Sequence, residues 1–194
     1  MTAQEQLSSQ NHHVCTWWIA YTFDNPVRKL FHNPQKIFDA YIKEGMTVMD
    51  VGCGMGYFSM GMAQLVGTSG KVIAVDLQQK MIDVMLKRAR RAGVADRIIP
   101  HCCELDKLGI EGPADFILAF WMVHEVGDKN YFFEQLQSIL VPEGKILIAE
   151  PKMHVTAEEL DKTIEIAQNN GLRCCGRPEI RFSRTALFQS SISS

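Results

Sequence analysis

From about residue 46 onward, short apolar runs alternate with longer amphipathic stretches. The segments "TVMDV" (Thr47 to Val51), "KVIAVD" (Lys71 to Asp76), "RIIPH", "DFILAF" and "ILIAE" are rich in β-branched and aromatic residues and have the length of strands. The runs "DFILAF" and "ILIAE" are apolar almost throughout, as strands covered on both faces must be. Between the first two strands, "YFSMGMAQLV" carries an apolar helical face. "QQKMIDVMLKRARRAG" repeats that pattern, with Met81, Met85 and Ala89 on one side, basic residues in its last turns and Gly93 as its stop. A turn at "VPEG" precedes the fifth strand, and Thr156 and Glu159 have capping-box spacing ahead of a helix that buries Leu160, Ile164 and Ala167 and ends at Gly171.

Such alternation predicts a parallel sheet with helices on both faces. The C-terminal end departs from it. Only about nine residues separate "LRCC" (Leu172 to Cys175) from "TALFQ" (Thr185 to Gln189), too few for the crossover that parallel strands need, so the last strand should run antiparallel. The predicted class is α/β, a Rossmann-like, mostly parallel seven-stranded sheet closed by a C-terminal antiparallel β-hairpin. Residues 1–45 are expected to form an N-terminal helical lid and residues 46–194 one compact unit, with "NPVRKLF" and "HNPQKIF" reading as helix starts that carry proline in the first turn.

Composition narrows the partners. A chain of 194 residues, 46% of them hydrophobic, suits one domain with a full core. Its net charge of -2 supplies no basic field to draw it to nucleic acid or an anionic membrane, which favours a small, roughly neutral partner. The N-terminus lacks the basic-then-apolar order of a signal peptide, and the longest apolar run, Phe116 to Val123, is too short to span a bilayer, so a cytoplasmic location is expected. Cysteines stand at 15, 53, 102, 103, 174 and 175; the two adjacent pairs form no secreted disulfide framework, and core packing is the expectation for them over a soft-metal site. "NHHVC" (Asn11 to Cys15) could supply part of a metal site, but no metal is expected. The basic run Lys87 to Arg91 reads as dipole partners on a solvated helix face.

The candidate chemistry begins at "DVGCGMGYFS" (Asp50 to Ser59), where Gly52, Gly54 and Gly56 fall between a strand and a helix. Three glycines in five residues suggest a ligand lying against the main chain. A dinucleotide turn would space them G-x-G-x-x-G, yet Tyr57 stands where the third glycine belongs, which weighs against an NAD-dependent oxidoreductase. Asp50 lies just ahead of the turn, where a carboxylate would repel phosphate but could receive an ammonium group. Asp76 ends the second strand twenty residues after Gly56, the place from which a carboxylate accepts ribose hydroxyls. A nucleoside joined to an amino acid is the composition of S-adenosylmethionine.

Taken in order, "VMDVGCGMGYFS", "VIAVDLQQKM", "ADFILAFWMVHEV" and "LVPEGKILIAEP" resemble the successive motifs of class I S-adenosylmethionine-dependent methyltransferases, in particular the small-molecule group that includes the quinone-biosynthesis enzymes. The resemblance covers residues 46–150 and, loosely, the C-terminal hairpin. It implies that Gly52 to Gly56 lie under the methionine portion of the cofactor, Asp76 holds the ribose, Leu77 packs on adenine, and Cys103 with Glu104 borders the adenine edge. "HCCELDKL" departs there from the Gly-Asp-Ala type of sequence common in the family.

"FWMVHEV" follows the fourth strand, which should neighbour the first, so Phe120, Trp121 and His124 would face the sulfonium. A neutral imidazole with an ordinary pKa of about 6.5 suits His124 as general base; alternatively, His124 and Glu125 start the next helix and shape the pocket floor. Trp17, Trp18, Tyr21 and Phe23 would roof the substrate pocket or pack against the sheet edge, and Arg28 and His32 could orient an anionic group. The absence after strand four of an Asn/Asp-Pro-Pro-Tyr type of motif argues against methylation of DNA or RNA amino groups. The expected activity is methyl transfer to an oxygen, carbon or sulfur nucleophile of a small molecule, with a non-catalytic S-adenosylmethionine-binding protein as the alternative.

Overall fold

A computed structural model of the chain describes residues 31–191. A short helix, α1 (Pro34–Phe38), begins at Asn33, whose side chain accepts hydrogen bonds from the Gln35 and Lys36 amides, with Pro34 in the first turn. Then follow β1 (Thr47–Val51), α2 (Tyr57–Leu65), β2 (Lys71–Asp76), α3 (Gln79–Ala92), β3 (Ile98–Cys102) and β4 (Ala114–Phe120). The chain closes with α4 (Lys129–Ile139), β5 (Leu140–Pro151), α5 (Ala157–Asn169), β6 (Leu172–Gly176) and β7 (Ser183–Ser190). The strands form one seven-stranded sheet in the order β3-β2-β1-β4-β5-β7-β6. β1 to β5 pair in parallel, whereas β7 runs antiparallel to both β5 and β6, as the short β6 to β7 connection requires.

Alternation along β4 explains the layers. Phe116, Leu118 and Phe120 point to the face covered by α1, α2 and α3, where Phe38, Phe58, Met62 and Met85 are buried. Ile117 and Ala119 point to the other face, against Phe133 and Leu136 of α4 and Leu160 and Ile164 of α5. The capping box expected at α5 is present, with Thr156 and Glu159 bonding each other's backbone, and Gly93 closes α3 in the left-handed conformation at φ 70°.

Several local expectations change. "VPEG" lies within β5, at an irregularity where the pairing jumps from Ala114 with Leu140 to Phe116 with Lys145. The described part of the expected lid, residues 31–45, is built into the domain: Phe38 is 0% and Ile42 2% exposed, in the same cluster as Val48 and Phe116. Among the cysteines, Cys53 is buried and Cys103 and Cys174 pack against the core, but Cys102 and Cys175 are exposed. Adjacent strand residues face opposite sides, so a vicinal pair cannot both enter one core. The run Lys87 to Arg91 is also not wholly solvated, since Arg88 donates to the Met55 carbonyl at 3.1 Å and ties α3 to the glycine turn.

Candidate active site

The carboxyl ends of β1, β2, β4 and β5 converge around a cavity of about 400 Å³. The β1 to α2 turn forms its floor. Gly52, Gly54 and Gly56 all have positive φ, at 72°, 52° and 78°. They have different neighbours. A Cβ on Gly54 would meet nothing within 4 Å, whereas one on Gly52 would lie 2.9 Å from Met122 Cγ and one on Gly56 only 2.3 Å from Met85 Cγ. Gly54 is thus the residue whose missing side chain keeps the cavity open; Gly56 lets α2 start against α3.

Asp76 joins this turn to the start of α3. Its Oδ2 accepts the Gly54 amide at 2.8 Å and its Oδ1 the Gln78 amide at 2.9 Å, leaving lone pairs on both oxygens for further donors. Burial raises its pKa, and the hydrogen bonds from Gln78 and Gly54 oppose that rise. Asp50 sits deeper, 2% exposed, accepting Ser59 Oγ–H at 2.5 Å while still reaching the cavity wall. Leu77, Cys103 and Glu104 line the same end of the cavity, and the Cys103 amide bonds the Asp76 carbonyl at 3.0 Å. Burial and the neighbouring Asp76 push the Cys103 thiol up to about 11, and burial raises the Cys53 thiol well above its ordinary range, so neither is a thiolate at neutral pH. A nucleoside joined to an amino acid fits this cradle, with open space above Gly54 and carboxylates at both ends.

The opposite end is built after β4. Phe120 is 7% exposed and packs on Phe58 with ring centroids 4.5 Å apart. Trp121 adopts φ 60°, a conformation rare for a bulky residue, and is held by its amide on the Ala149 carbonyl (2.7 Å) and its indole N–H on Ser183 Oγ (2.9 Å). Residues Val123–Glu125 then form a single 3₁₀ turn rather than the start of α4, which begins at Lys129 with Asp128 as its cap.

That turn is anchored by a residue not singled out from sequence. Glu150, near the end of β5 and 2% exposed, accepts the Val123 amide on Oε1 and the His124 amide on Oε2, each at 3.0 Å. The same Oε2 lies 2.6 Å from His124 Nδ1. An acceptor carboxylate assigns the imidazole proton to Nδ1 and leaves Nε2 as the basic nitrogen, with Glu125 Oε1 3.9 Å from it. The hydrogen bond to Glu150 raises the His124 pKa, partly offset by burial. His124 lines the cavity together with Lys152, Met153, His154 and Phe182.

Other candidates lie elsewhere. Trp17, Trp18, Tyr21, Phe23, Arg28 and the "NHHVC" group fall outside the described residues. His32 is buried at 3% exposure between Phe120 and Trp121, with Nε2 2.8 Å from the Arg181 carbonyl, and lies behind the residues that line the cavity instead of among them. Among the described residues, no group of three or more His, Cys, Asp or Glu is gathered to hold a metal, and no helix is long and apolar enough to cross a membrane.

Comparison with known proteins gives the family and supports the fold. A family model described as a methyltransferase domain matches residues 42–181. The ubiquinone/menaquinone biosynthesis C-methyltransferase of Cellvibrio japonicus (strain Ueda107) is 31% identical over 110 residues, which is 56% of this chain and 44% of that protein. The ubiquinone biosynthesis O-methyltransferase of Caulobacter sp. (strain K31) is 32% identical over 106 residues, 55% of this chain and 41% of that protein. The chain spans less than half the length of these curated relatives. A crystal structure of a SAM dependent methyltransferase from Aquifex aeolicus matches with a TM-score of 0.81 at 25% identity, covering 92% of this chain and 100% of that one. The fold is shared with Aeropyrum pernix fibrillarin, solved with natively bound S-adenosyl-L-methionine, at a TM-score of 0.60 and 16% identity over 76% of this chain and 68% of that one. With the family match extending over most of the sheet, the chain belongs to the methyltransferase domain family, as a class I S-adenosylmethionine-dependent member.

Proposed function

We propose that the protein transfers a methyl group from S-adenosylmethionine to an oxygen, sulfur or carbon nucleophile of a small molecule, with His124 as general base. The observation that carries this reading is one continuous cavity lined by Asp76 on one side, the glycine turn between, and His124 on the other. When bound, S-adenosylmethionine supplies a methyl group on a positively charged sulfur, open to in-line displacement. The Gly52 to Gly56 backbone would hold its methionine portion, with Asp50 for the ammonium group, Asp76 for the ribose hydroxyls, and Leu77, Cys103 and Glu104 for the adenine. Phe120 and Trp121, which line the cavity after β4, would shield the positive sulfur from water and suit it through their π systems.

His124 then acts on the acceptor. Nδ1–H is committed to Glu150, so Nε2 takes the acceptor's proton, and the buried carboxylate stabilises the imidazolium that results. Orientation of the acceptor against this nitrogen is the chain's main contribution to rate. The cavity suits a small acceptor, and the chain's net charge of -2 supplies no overall basic field for a polyanion, so we place nucleic acid outside the substrate range. The Trp17, Trp18 and Tyr21 segment remains our candidate roof over the acceptor.

The test is a screen with donor carrying a labelled methyl group against small phenols, thiols and activated carbon acids, with binding of S-adenosylhomocysteine measured in parallel. Label transfer to at least one acceptor, lost in His124→Asn, is expected. Tight cofactor binding with no transfer to any class would replace the enzyme reading with a binding protein.

A further inference from the structure

Beside the reaction cavity lies a second concave surface, lined by Phe31, Lys36, Tyr41, Lys152, Glu179 and Arg181 among others. The two share Lys152, and the ring of Phe182, which lines the reaction cavity, is also a neighbour of Arg181. The Arg181 guanidinium carbon lies 4.4 Å from the Phe31 ring centroid and 5.1 Å from that of Phe182, while the two rings meet edge to face at 5.4 Å. The rings contact the cation without neutralising it. Among the described residues, neither Arg181, Lys36 nor Lys152 has a carboxylate at ion-pair distance; Arg177 on the same surface does, bonding Asp161 at 2.6 Å. Among the described residues, Glu179 is the one acidic residue in the lining, against three cations without an acidic partner.

The backbone that presents Arg181 is strained and firmly held. Phe182 has φ 61°, in the left-handed region that an aromatic residue rarely adopts. His32 Nε2 holds the Arg181 carbonyl at 2.8 Å, the Lys152 amide holds the Phe182 carbonyl at 2.9 Å, and Trp121 holds Ser183. Three contacts therefore maintain a conformation that turns the Phe182 ring to the cavity and sets Arg181 beside it. Strain retained at such a point marks a binding or catalytic position more often than a scaffold one.

We propose that Arg181, with Lys152 and Lys36, forms an oxyanion-binding subsite for the methyl acceptor, which carries a carboxylate or phosphate on the side away from the reacting atom. This inference rests on the methyltransferase reading and adds to it the chemical class of the substrate. A guanidinium held against aromatic rings keeps its edge N–H donors for a bidentate oxyanion, and Lys152, common to both surfaces, links the subsite to the reacting end.

The test uses protein saturated with S-adenosylhomocysteine and three probes with the same aromatic body: 3-phenylpropionate, 3-phenylpropyl phosphate and methyl 3-phenylpropionate, titrated calorimetrically. At least one anion should bind ten or more times more tightly than the ester, and the tighter of the two identifies the oxyanion. That preference should disappear in Arg181→Met, return in part in Arg181→Lys, shrink in Lys36→Met and fall with added salt, while S-adenosylhomocysteine affinity stays constant in all three variants. Equal binding of acid, phosphate and ester, no measurable binding of either anion, or an undiminished preference in folded Arg181→Met overturns the proposal. Loss of the methyltransferase reading would instead appear as absent S-adenosylhomocysteine binding in the unmodified protein.

Discussion

His124 Nδ1 and Glu150 Oε2 lie 2.6 Å apart, and the same carboxylate also accepts the backbone amides of Val123 and His124. One buried side chain therefore sets the path of the turn, the tautomer of the imidazole and its basicity. The raised His124 pKa, caused first by this hydrogen bond, means that the imidazole is neutral only above a pH somewhat higher than the ordinary value of about 6.5, and as the proposed base it accepts a proton only there. The methylation rate should rise with pH through that value. In Glu150→Gln the support for the protonated ring is gone, so the acidic limb of the pH profile should move to lower pH while the maximal rate falls. A Glu150 that only anchors the turn would lower the rate and leave the limb in place.

Replacing His124 by Asn places an amide N–H near the position of Nδ1, which keeps a donor for Glu150 while removing Nε2. Single-turnover methylation should slow by about 100- to 10,000-fold, with the dissociation constant of S-adenosylhomocysteine nearly unchanged. A rate within a few fold of the unmodified protein would restrict His124 to shaping the pocket floor.

Asp76 supplies a pH dependence of opposite origin. Burial raises its pKa in the free protein; if Asp76 holds the ribose as proposed, donation from the hydroxyls would favour the charged form, so cofactor binding should lower that pKa again. Affinity is then constant while Asp76 is ionised in the free protein and weakens as pH falls through its raised pKa. Because the raised pKa means the folded state holds the proton more tightly than the unfolded chain, Asp76 favours folding below its ordinary range and that contribution is lost as pH rises through the folded value. Asp76→Asn should flatten the affinity profile and cost about 1.5 to 3 kcal/mol of binding at neutral pH, measured by calorimetry. An unaltered dissociation constant would remove Asp76 from the cofactor site.

Gly54 and Gly56 should respond differently to alanine. Both sit at positive φ, where a Cβ is strained, but Gly54 faces open space and Gly56 faces Met85 Cγ at 2.3 Å. Gly56→Ala should lower the melting temperature the more, by displacing α2 from α3. Gly54→Ala should show the greater loss of cofactor affinity relative to its loss of stability, and Gly54→Val should extend that loss to abolition. Equal affinity in folded Gly54→Val would make the turn structural only.

Deletion from the N-terminus should separate at residue 31. Removing residues 1–30 leaves Phe38 and Ile42 in the core and should preserve S-adenosylhomocysteine binding; if that segment roofs the acceptor, turnover is lost. Removing residues 1–45 takes those buried side chains away and should unfold or strongly destabilise the domain, as read by circular dichroism. Full turnover by the shorter deletion would disprove the roof.

The strands, the helices other than α4 and the antiparallel ending were legible in the sequence because each rests on local physics. A run apolar on both sides must be covered on both sides, an amphipathic period needs a single core face, and nine residues cannot cross over a sheet. The glycine turn and Asp76 were legible for a related reason: they stand at strand ends, where the sheet's connectivity alone brings them together. The roles of the three glycines were not legible, since sequence cannot tell Gly54, facing a cavity, from Gly56, facing Met85.

Glu150 was hidden at longer range. It appears in the sequence as a polar residue ending an apolar strand, 26 positions from His124. The parallel register that pairs Phe120 with Ala149 brings it beside the 3₁₀ turn, on the same sheet face as Ile146 and Ile148. His32 reads as a candidate ligand-binding group until packing buries it between Phe120 and Trp121, and nothing local signals that Arg181 meets the rings of Phe31 and Phe182. Local patterning thus determined the sheet and the place of its ligand cleft. Which polar groups meet in that cleft was decided by tertiary structure, because strand register and side-chain burial depend on partners far away along the chain.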